Sequence, residues 1–304
     1  MTGTTPTTVT IHEVQTPDGK IHVADHPGTE PAVVLMHGFP DDMRLYDPLL
    51  PLLAPRRAVT VDFLGYGGSD RPEREVLDGA SHVEQLRAAL DGVGLERVLL
   101  IGHDASGPVA IDFAAAAPDR VSRLILLNTY YGHAPTLKLP SLIRLLADPD
   151  LVPLADAMLG DPNQRLWLLQ HTARQWGLDP DDPNGVGAIV ILRQFFGDTT
   201  MPDALSAIRS WTAALFGDLD AHDAAISGGR LATLNLPVTV MFGALDPFLN
   251  PDVAAHLAGL FTHADLHLVD GASHWPQWDK PDVVAQLIHQ QFTAQLVDAA
   301  AQPQ

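Results

Sequence analysis

The chain has 304 residues, 46% of them hydrophobic, enough to bury a large core as one domain or as one domain with an insertion. Thirty-seven acidic residues against 18 lysines and arginines give a formal net charge of −19, which argues against a phosphate-binding face for nucleic acid and describes a soluble, self-repelling surface. Cysteine is absent, which excludes disulfides and thiolate metal sites. There is no long apolar run and residues 1–10 are polar, so neither a membrane span nor an export signal is expected and the expected compartment is cytoplasmic.

In chain order, residues 9–14 and 20–24 read as two strands flanking a Pro-Asp-Gly turn at 17–19. Residues 32–36, 58–62, 98–102 and 123–128 are short apolar runs of the kind a parallel sheet buries on both faces. Between them, 81–93 and 106–117 carry helical spacing. Ser81, with Glu84 three positions on, is expected to cap the first of these helices, and Pro118 to stop the second. Alternating units of this kind build an α/β fold with a doubly wound, mostly parallel sheet.

The alternation breaks after Asn128. From about 136 to 231 only helical patterns occur, at 139–147, 162–176, 186–196 and 204–216, with the strongest break at 179–185. Strand patterns return at 238–242 and 266–269, with a helix between them, and a last helix runs from 281 to about 297. The expected organisation is a core of residues 1–132 and 233–304 with a helical lid inserted at 133–232, since no Gly/Ser tract marks a flexible linker. No internal repeat is visible, and the only biased stretch is the Ala/Gln tail.

The stretch Leu99-Leu100-Ile101-Gly102-His103-Asp104-Ala105-Ser106-Gly107 has the layout of a strand-to-helix turn that lifts one side chain clear of a sheet edge. That side chain is Asp104, where Ser is the usual occupant. An ionised carboxylate needs no base to activate it and suits displacement at a saturated carbon better than attack on an ester. The residue type therefore points away from esterases and lipases, toward opening an epoxide or expelling a halide.

Three further motifs are in register with this turn. His37-Gly38-Phe39-Pro40 follows the third strand, where backbone N–H groups of Phe39 and Ala105 would converge near the Asp104 carboxylate. Phe242-Gly243-Ala244-Leu245-Asp246-Pro247 ends the strand after the helical segment and supplies an acid, Asp246, to fix the tautomer of a histidine. Gly271-Ala272-Ser273-His274-Trp275-Pro276-Gln277-Trp278-Asp279-Lys280-Pro281 follows the last strand and supplies His274 as general base. His37 and His103 read as packing or hydrogen-bonding supports. The Gly-rich run from Asp62 to Pro72 is explained by tight folding at a strand end.

With these residues in hand, the chain resembles the α/β-hydrolase branch that contains epoxide hydrolases and haloalkane dehalogenases. The H-G-F-P, G-x-G-x-S-D-R-P and H-W-x-Q-x-D-K-P motifs are more similar to the epoxide hydrolases. The resemblance covers about residues 30–130 and 235–290. It implies an α/β-hydrolase fold and a reaction through an alkyl-enzyme ester on Asp104, hydrolysed by water that His274 activates with Asp246 as its orienting acid. Phe39 and Ala105 would form the oxyanion hole, with no metal and no organic cofactor. The implied partners are a small apolar epoxide, or alternatively a haloalkane or haloacid, and water. The sequence carries no sign of oligomeric state.

Two departures bear on the choice of substrate. The Trp that dehalogenases carry after the nucleophile is replaced by Ala105, and the Asn of their oxyanion loop by Phe39, so a halide would fall to Trp167, Trp176 or Trp211. The two lid tyrosines of epoxide hydrolases are missing as well. The chain has only Tyr46, Tyr66, Tyr130 and Tyr131, leaving Tyr130, Tyr131, His171 and Trp176 as candidates for the ring-opening acid or a substrate contact. Leu166, Trp167, Ile191, Phe195, Phe196, Trp211, Leu215 and Phe216 are expected to line an apolar pocket under the lid, with Phe39 as the favoured specificity residue. A non-catalytic binding protein on the same fold is the competing class, and a complete acid-base set argues against it.

Overall fold

A computed structural model of the chain describes residues 8–72 and 77–301; the start of the polar N-terminal stretch, residues 1–7, and the last three residues of the Ala/Gln tail lie outside the described residues. Eight strands form one sheet: β1 (Thr10–Thr16), β2 (Gly19–His26), β3 (Thr29–Met36), β4 (Arg56–Asp62), β5 (Val98–Asp104), β6 (Val121–Thr129), β7 (Val238–Gly243) and β8 (Ala264–Val269). Their spatial order is β1-β2-β4-β3-β5-β6-β7-β8. The β1–β2 and β2–β4 pairs are antiparallel, and every pair from β4 to β8 is parallel.

Helices α1 (Gly79–Gly92) and α2 (Ser106–Ala116) lie between successive core strands. The segment from β6 to β7 is helical throughout, with α3 (Ser141–Ala147), α4 (Val152–Gly160), α5 (Pro162–Gln175), α6 (Leu192–Phe196) and α7 (Leu205–Ser227). After β7 come α8 (Pro251–Gly259), α9 (Pro276–Asp279) and α10 (Pro281–Ala301). The two-residue period of a strand explains why the central strands are apolar along their whole length. Val34, Met36, Leu100, Leu124 and Leu126 pack with Leu86 of α1 and Phe113 of α2. Their neighbours Val33, Leu35, Leu99, Ile101 and Ile125 pack on the other face with Tyr46 and with Val284 and Ile288 of α10.

The strand order sets the position of the site. From β3 the chain steps to β4 on one side and returns as β5 on the other, so the winding direction reverses between β3 and β5. A crevice opens at such a switch point, beyond the carboxyl ends of the two strands. The loop that begins at His37 and the turn at Asp104 both open there.

Several elements differ from the sequence expectation. Helix α1 starts at Gly79, and its N-cap is Asp78, whose carboxylate accepts the N–H of Ser81; Ser81 already lies inside the first turn. Helix α4 was not expected. The pattern at 186–196 divides into a π-helical turn, Gly187–Ile191, and the short α6. The helix expected at 204–216 continues as α7 to Ser227. Among the described residues, no helix is long and apolar enough to cross a membrane.

Candidate active site

Asp104 is the last residue of β5 and has a φ of 49°, a left-handed conformation that costs a residue with a Cβ. The surroundings impose it. Ser106 Oγ accepts the N–H of His103 (2.9 Å) and lies 2.9 Å from the carbonyl of Met36, and Thr129 Oγ1 donates to the carbonyl of Asp104 (2.5 Å). Gly107 is required by close approach, since a Cβ there would lie 2.0 Å from Thr129 Oγ1. Gly38 is required likewise, since its Cβ would lie 2.5 Å from that of Asp104. Helix α2 has no side-chain cap, which leaves the positive end of its dipole to the Asp104 carboxylate.

The carboxylate is divided between two partners. Oδ1 accepts the N–H of Phe39 (2.9 Å), and the N–H of Ala105 also bonds the carboxylate. Oδ2 faces His274 Nε2 at 3.7 Å, too far for a hydrogen bond. Burial raises the Asp104 carboxyl above the usual carboxylate range, and His274, His103 and the two amides pull it back toward ionisation.

His274 lies in the loop after β8 and is buried. Its Nδ1 is 2.6 Å from Asp246 Oδ2, which fixes the ring with Nε2 toward Asp104. Burial works to lower the basicity of His274, but the charge and hydrogen bond of Asp246, with further help from Asp104 and Asp41, outweigh it and raise the pKa to about 9. Asp246 feels the same burial in the opposite sense, and His274, the amides and Asn128 hold it below the usual range. Its Oδ1 accepts the N–H groups of Phe248 (2.9 Å) and Leu249 (3.2 Å).

Three supports of the Asp104, His274 and Asp246 group stand out in the structure. Asn128, at φ 29° near the end of β6, donates Nδ2 to Asp246 Oδ2 (2.9 Å) and accepts the N–H of Gly243 (2.7 Å), tying two strand ends to the acid. His103 Nε2 donates to the carbonyl of His274 (2.9 Å). Asp41 lies 3.5 Å from His103 Nδ1 and 3.4 Å from the indole nitrogen of Trp275. Sequence reasoning passed over Asn128 and Asp41. Asn128 ends an apolar run just before the expected helical segment, and only the fold brings it to Asp246. His37 accepts the N–H of Phe63 at Nε2 (3.1 Å) and therefore donates from Nδ1 to the carbonyl of Gly38 (2.7 Å), a brace for the loop that carries Phe39.

A cavity of about 140 Å³ lies over Asp104 and His274. Of the lid residues expected to line it, Leu166, Ile191, Trp211 and Leu215 do so. Trp167, Phe195, Phe196 and Phe216 do not: Trp167 is 56% exposed, Phe195 is buried in the main core, the Arg165 guanidinium covers Phe196 at 4.6 Å, and Phe216 faces solvent. A helix of the segment between β6 and β7 divides its apolar face between cavity, packing and surface, and composition does not say which residue does which.

The candidate proton donors separate in the same way. Tyr130 and Trp176 line the cavity. Tyr131 does not, because it stacks on His222 (4.4 Å between centroids) and donates its hydroxyl to Asp112 (2.6 Å). His171 also lies off the cavity, stacked on Trp167 (5.3 Å). The Tyr130 hydroxyl has no hydrogen bond among the described residues; burial and then the charges of Asp104 and Asp218 push its pKa well up, so it stays protonated. The indole N–H of Trp176 is buried without a partner among the described residues, and its ring packs 5.4 Å from that of His274. Trp211 is gripped by Phe39, Phe63, Tyr66 and His82. Phe39 lines the cavity as well as lending its amide to Asp104. Among the described residues, one group spaced to hold a metal ion, His133 with Asp220 and Asp223, lies off the cavity, and His133 is already bonded to Asp223 (2.7 Å).

A family model for the alpha/beta hydrolase fold matches residues 31–281, and the chain belongs to that family as one of its hydrolases. It is 27% identical over 286 residues to haloalkane dehalogenase 2 of Mycobacterium tuberculosis and Mycobacterium bovis, covering 90% of this chain and 92% of the relative. It is 37% identical to epoxide hydrolase 3 of Siraitia grosvenorii over a shorter span, 115 residues, or 37% of this chain and 36% of that one. The 2-hydroxy-6-oxo-6-phenylhexa-2,4-dienoate hydrolase of a Rhodococcus strain shares the fold, with a TM-score of 0.73 at 23% identity, over 94% of this chain and all of that one.

Proposed function

We propose that the protein opens an epoxide to a vicinal diol through a covalent ester on Asp104. The observation that carries this reading is the divided carboxylate: Oδ1 lies on the Phe39 amide while Oδ2 is free toward the cavity and His274. Oδ2 attacks a ring carbon and the carbon–oxygen bond breaks. Tyr130, held protonated beside Asp104, gives its proton to the departing oxygen. His274 then takes a proton from water, whose oxygen attacks the ester carbonyl. The charge that develops on Oδ1 meets amides already in place, an effect typically worth about 3–4 kcal/mol per donor. Collapse releases the diol, whose new hydroxyl takes its proton from the carboxyl left on Asp104; the substrate-bonded Oδ2 leaves in the product, the water oxygen remains on Asp104, and the proton on His274 returns to Tyr130. The helical segment 133–232 serves as the lid that closes this site from water.

A second reading uses the same triad to replace a carbon–halogen bond by hydroxyl. It is supported by the Trp176 indole N–H, a buried donor without a partner among the described residues, and by Trp211, which also lines the cavity. It also agrees with the nearly full-length similarity to a haloalkane dehalogenase. The two readings separate in one experiment. His274→Gln is incubated with an epoxide or with a bromoalkane, and the intact protein mass is recorded. A gain equal to the whole epoxide, abolished by Asp104→Asn, is expected. A gain of the alkyl group alone from the bromoalkane, with none from the epoxide, makes the protein a dehalogenase. No adduct from either overturns the covalent mechanism.

A further inference from the structure

The polar groups of the cavity wall are unevenly spent. Thr172 and Thr212 return their hydroxyls to the carbonyls of Leu168 and Ile208 on their own helices (2.8 Å each). Three charged side chains other than the histidine line the cavity: Asp104 at its floor, and Asp179 and Lys138, both solvent-exposed. Asp179 is turned into its own loop, where it accepts the N–H of Asp181 (3.0 Å). Lys138 has no acidic group within ion-pair distance and no side-chain hydrogen bond among the described residues, in a chain whose net charge is −19. A lone ammonium amid so much negative charge ordinarily finds a carboxylate.

The strap carrying Lys138 is held in place. Thr136 and Asn250 exchange two hydrogen bonds of 3.0 Å, and the N–H of Lys138 donates to the carbonyl of Phe248 (3.4 Å). Lys138 is thus mounted on the loop that also positions Asp246, while Leu137 and Leu139 on either side of it continue the apolar wall.

We propose that the site takes a substrate with an apolar chain ending in a carboxylate, the chain lying along the leucine-lined wall and the carboxylate pairing with Lys138 at the mouth. This rests on the epoxide reading for the reacting end alone. The pairing assigns the substrate its direction, anion outward and reacting carbon toward Asp104.

The test does not depend on turnover. Wild type, Lys138→Ala, Lys138→Arg and Lys138→Glu are titrated with an unreactive straight-chain carboxylic acid and with the matching neutral amide, following the intrinsic tryptophan fluorescence, to which Trp176, Trp211 and Trp275 of the cavity wall contribute. Wild type and Lys138→Arg are expected to bind the acid about threefold to fivefold more tightly than the amide, the range of an exposed ion pair. Lys138→Ala should lose the preference and Lys138→Glu reverse it, while about 0.5 M salt should shrink it in wild type. Because each protein serves as its own reference, a variant that folds poorly still reports the ratio. Equal affinity in wild type, or a preference that survives in Lys138→Ala, overturns the proposal. A preference that tracks Lys138 while the corresponding epoxides leave no adduct on His274→Gln would overturn the epoxide reading and leave the anion site standing.

Discussion

Asp104 and His274 set each other's protonation, and the proposed reaction removes one side of that relation midway. While Asp104 is ionised, its charge adds to that of Asp246 in holding the His274 pKa at about 9. Esterification makes Asp104 neutral, so the imidazole loses one of the influences that raise its pKa at the step where it must accept a proton from water. Decay of the ester, followed by rapid quench across pH, should therefore rise through an apparent pKa below about 9. A limb at 9 or above would mean that Asp104 contributes nothing to the basicity of His274. The linkage to stability has a definite sign. A histidine raised from 6.5 stabilises the fold fully below 6.5, and that contribution is lost as pH rises through about 9. At this scale the residues legible in the sequence were those whose type and chain order carry meaning, Asp104, Asp246 and His274. Asn128 and Asp41 act only through partners far away in the chain, so no local pattern marks them.

At the scale of elements, α7 shows what local patterning leaves out. Its apolar period fades after Phe216, where Gly217 and several aspartates follow, yet the helix runs to Ser227. The polar residues of its second half bond outside the helix: Asp218 accepts the N–H of Gly79 (3.0 Å), His222 lies 3.5 Å from Asp112, and Asp223 holds His133. Tertiary contacts of this kind extend a helix beyond its own periodicity. The first half is fixed by a stack of Trp211 on His82, with centroids 4.2 Å apart. Burial is the main cause that lowers the His82 pKa, to about 4. Between pH 6.5 and about 4 the unfolded chain takes up a proton that the folded chain refuses, so stability falls with pH by roughly 3 kcal/mol from this group. His82→Phe keeps a ring under Trp211 and removes the titration. Its thermal midpoint should fall less steeply than that of wild type over this interval, whatever the constant offset from the lost bond to the carbonyl of Asp78. Parallel curves would show that His82 is not held neutral.

For the whole molecule, the α/β alternation was readable because strands buried on both faces are apolar without interruption, a signal that does not depend on partners. The cavity wall was not readable to the same depth, since Leu166 and Trp167 are adjacent in sequence yet only Leu166 reaches the cavity. Charge acts at this scale too. An excess of 19 negative charges repels itself in the folded state, beyond what pairs such as Asp25 with Arg57 (2.7 Å) offset. Raising sodium chloride from about 20 mM to about 500 mM should therefore raise the melting midpoint. A fall would mean that the local ion pairs outweigh the general repulsion.

The hydrogen bonds that hold the turn at residue 104 do not reach the carboxylate proposed to react. Ser106, Thr129 and the close approach at Gly107 grip the main chain, and the carboxylate is left to the amides and the histidine. Holding and reacting are thus separate inheritances: a change of residue at this position leaves the grip on the main chain intact. The scaffold is in that sense evolvable at a single site: the group presented at the turn can change while the main chain that presents it does not.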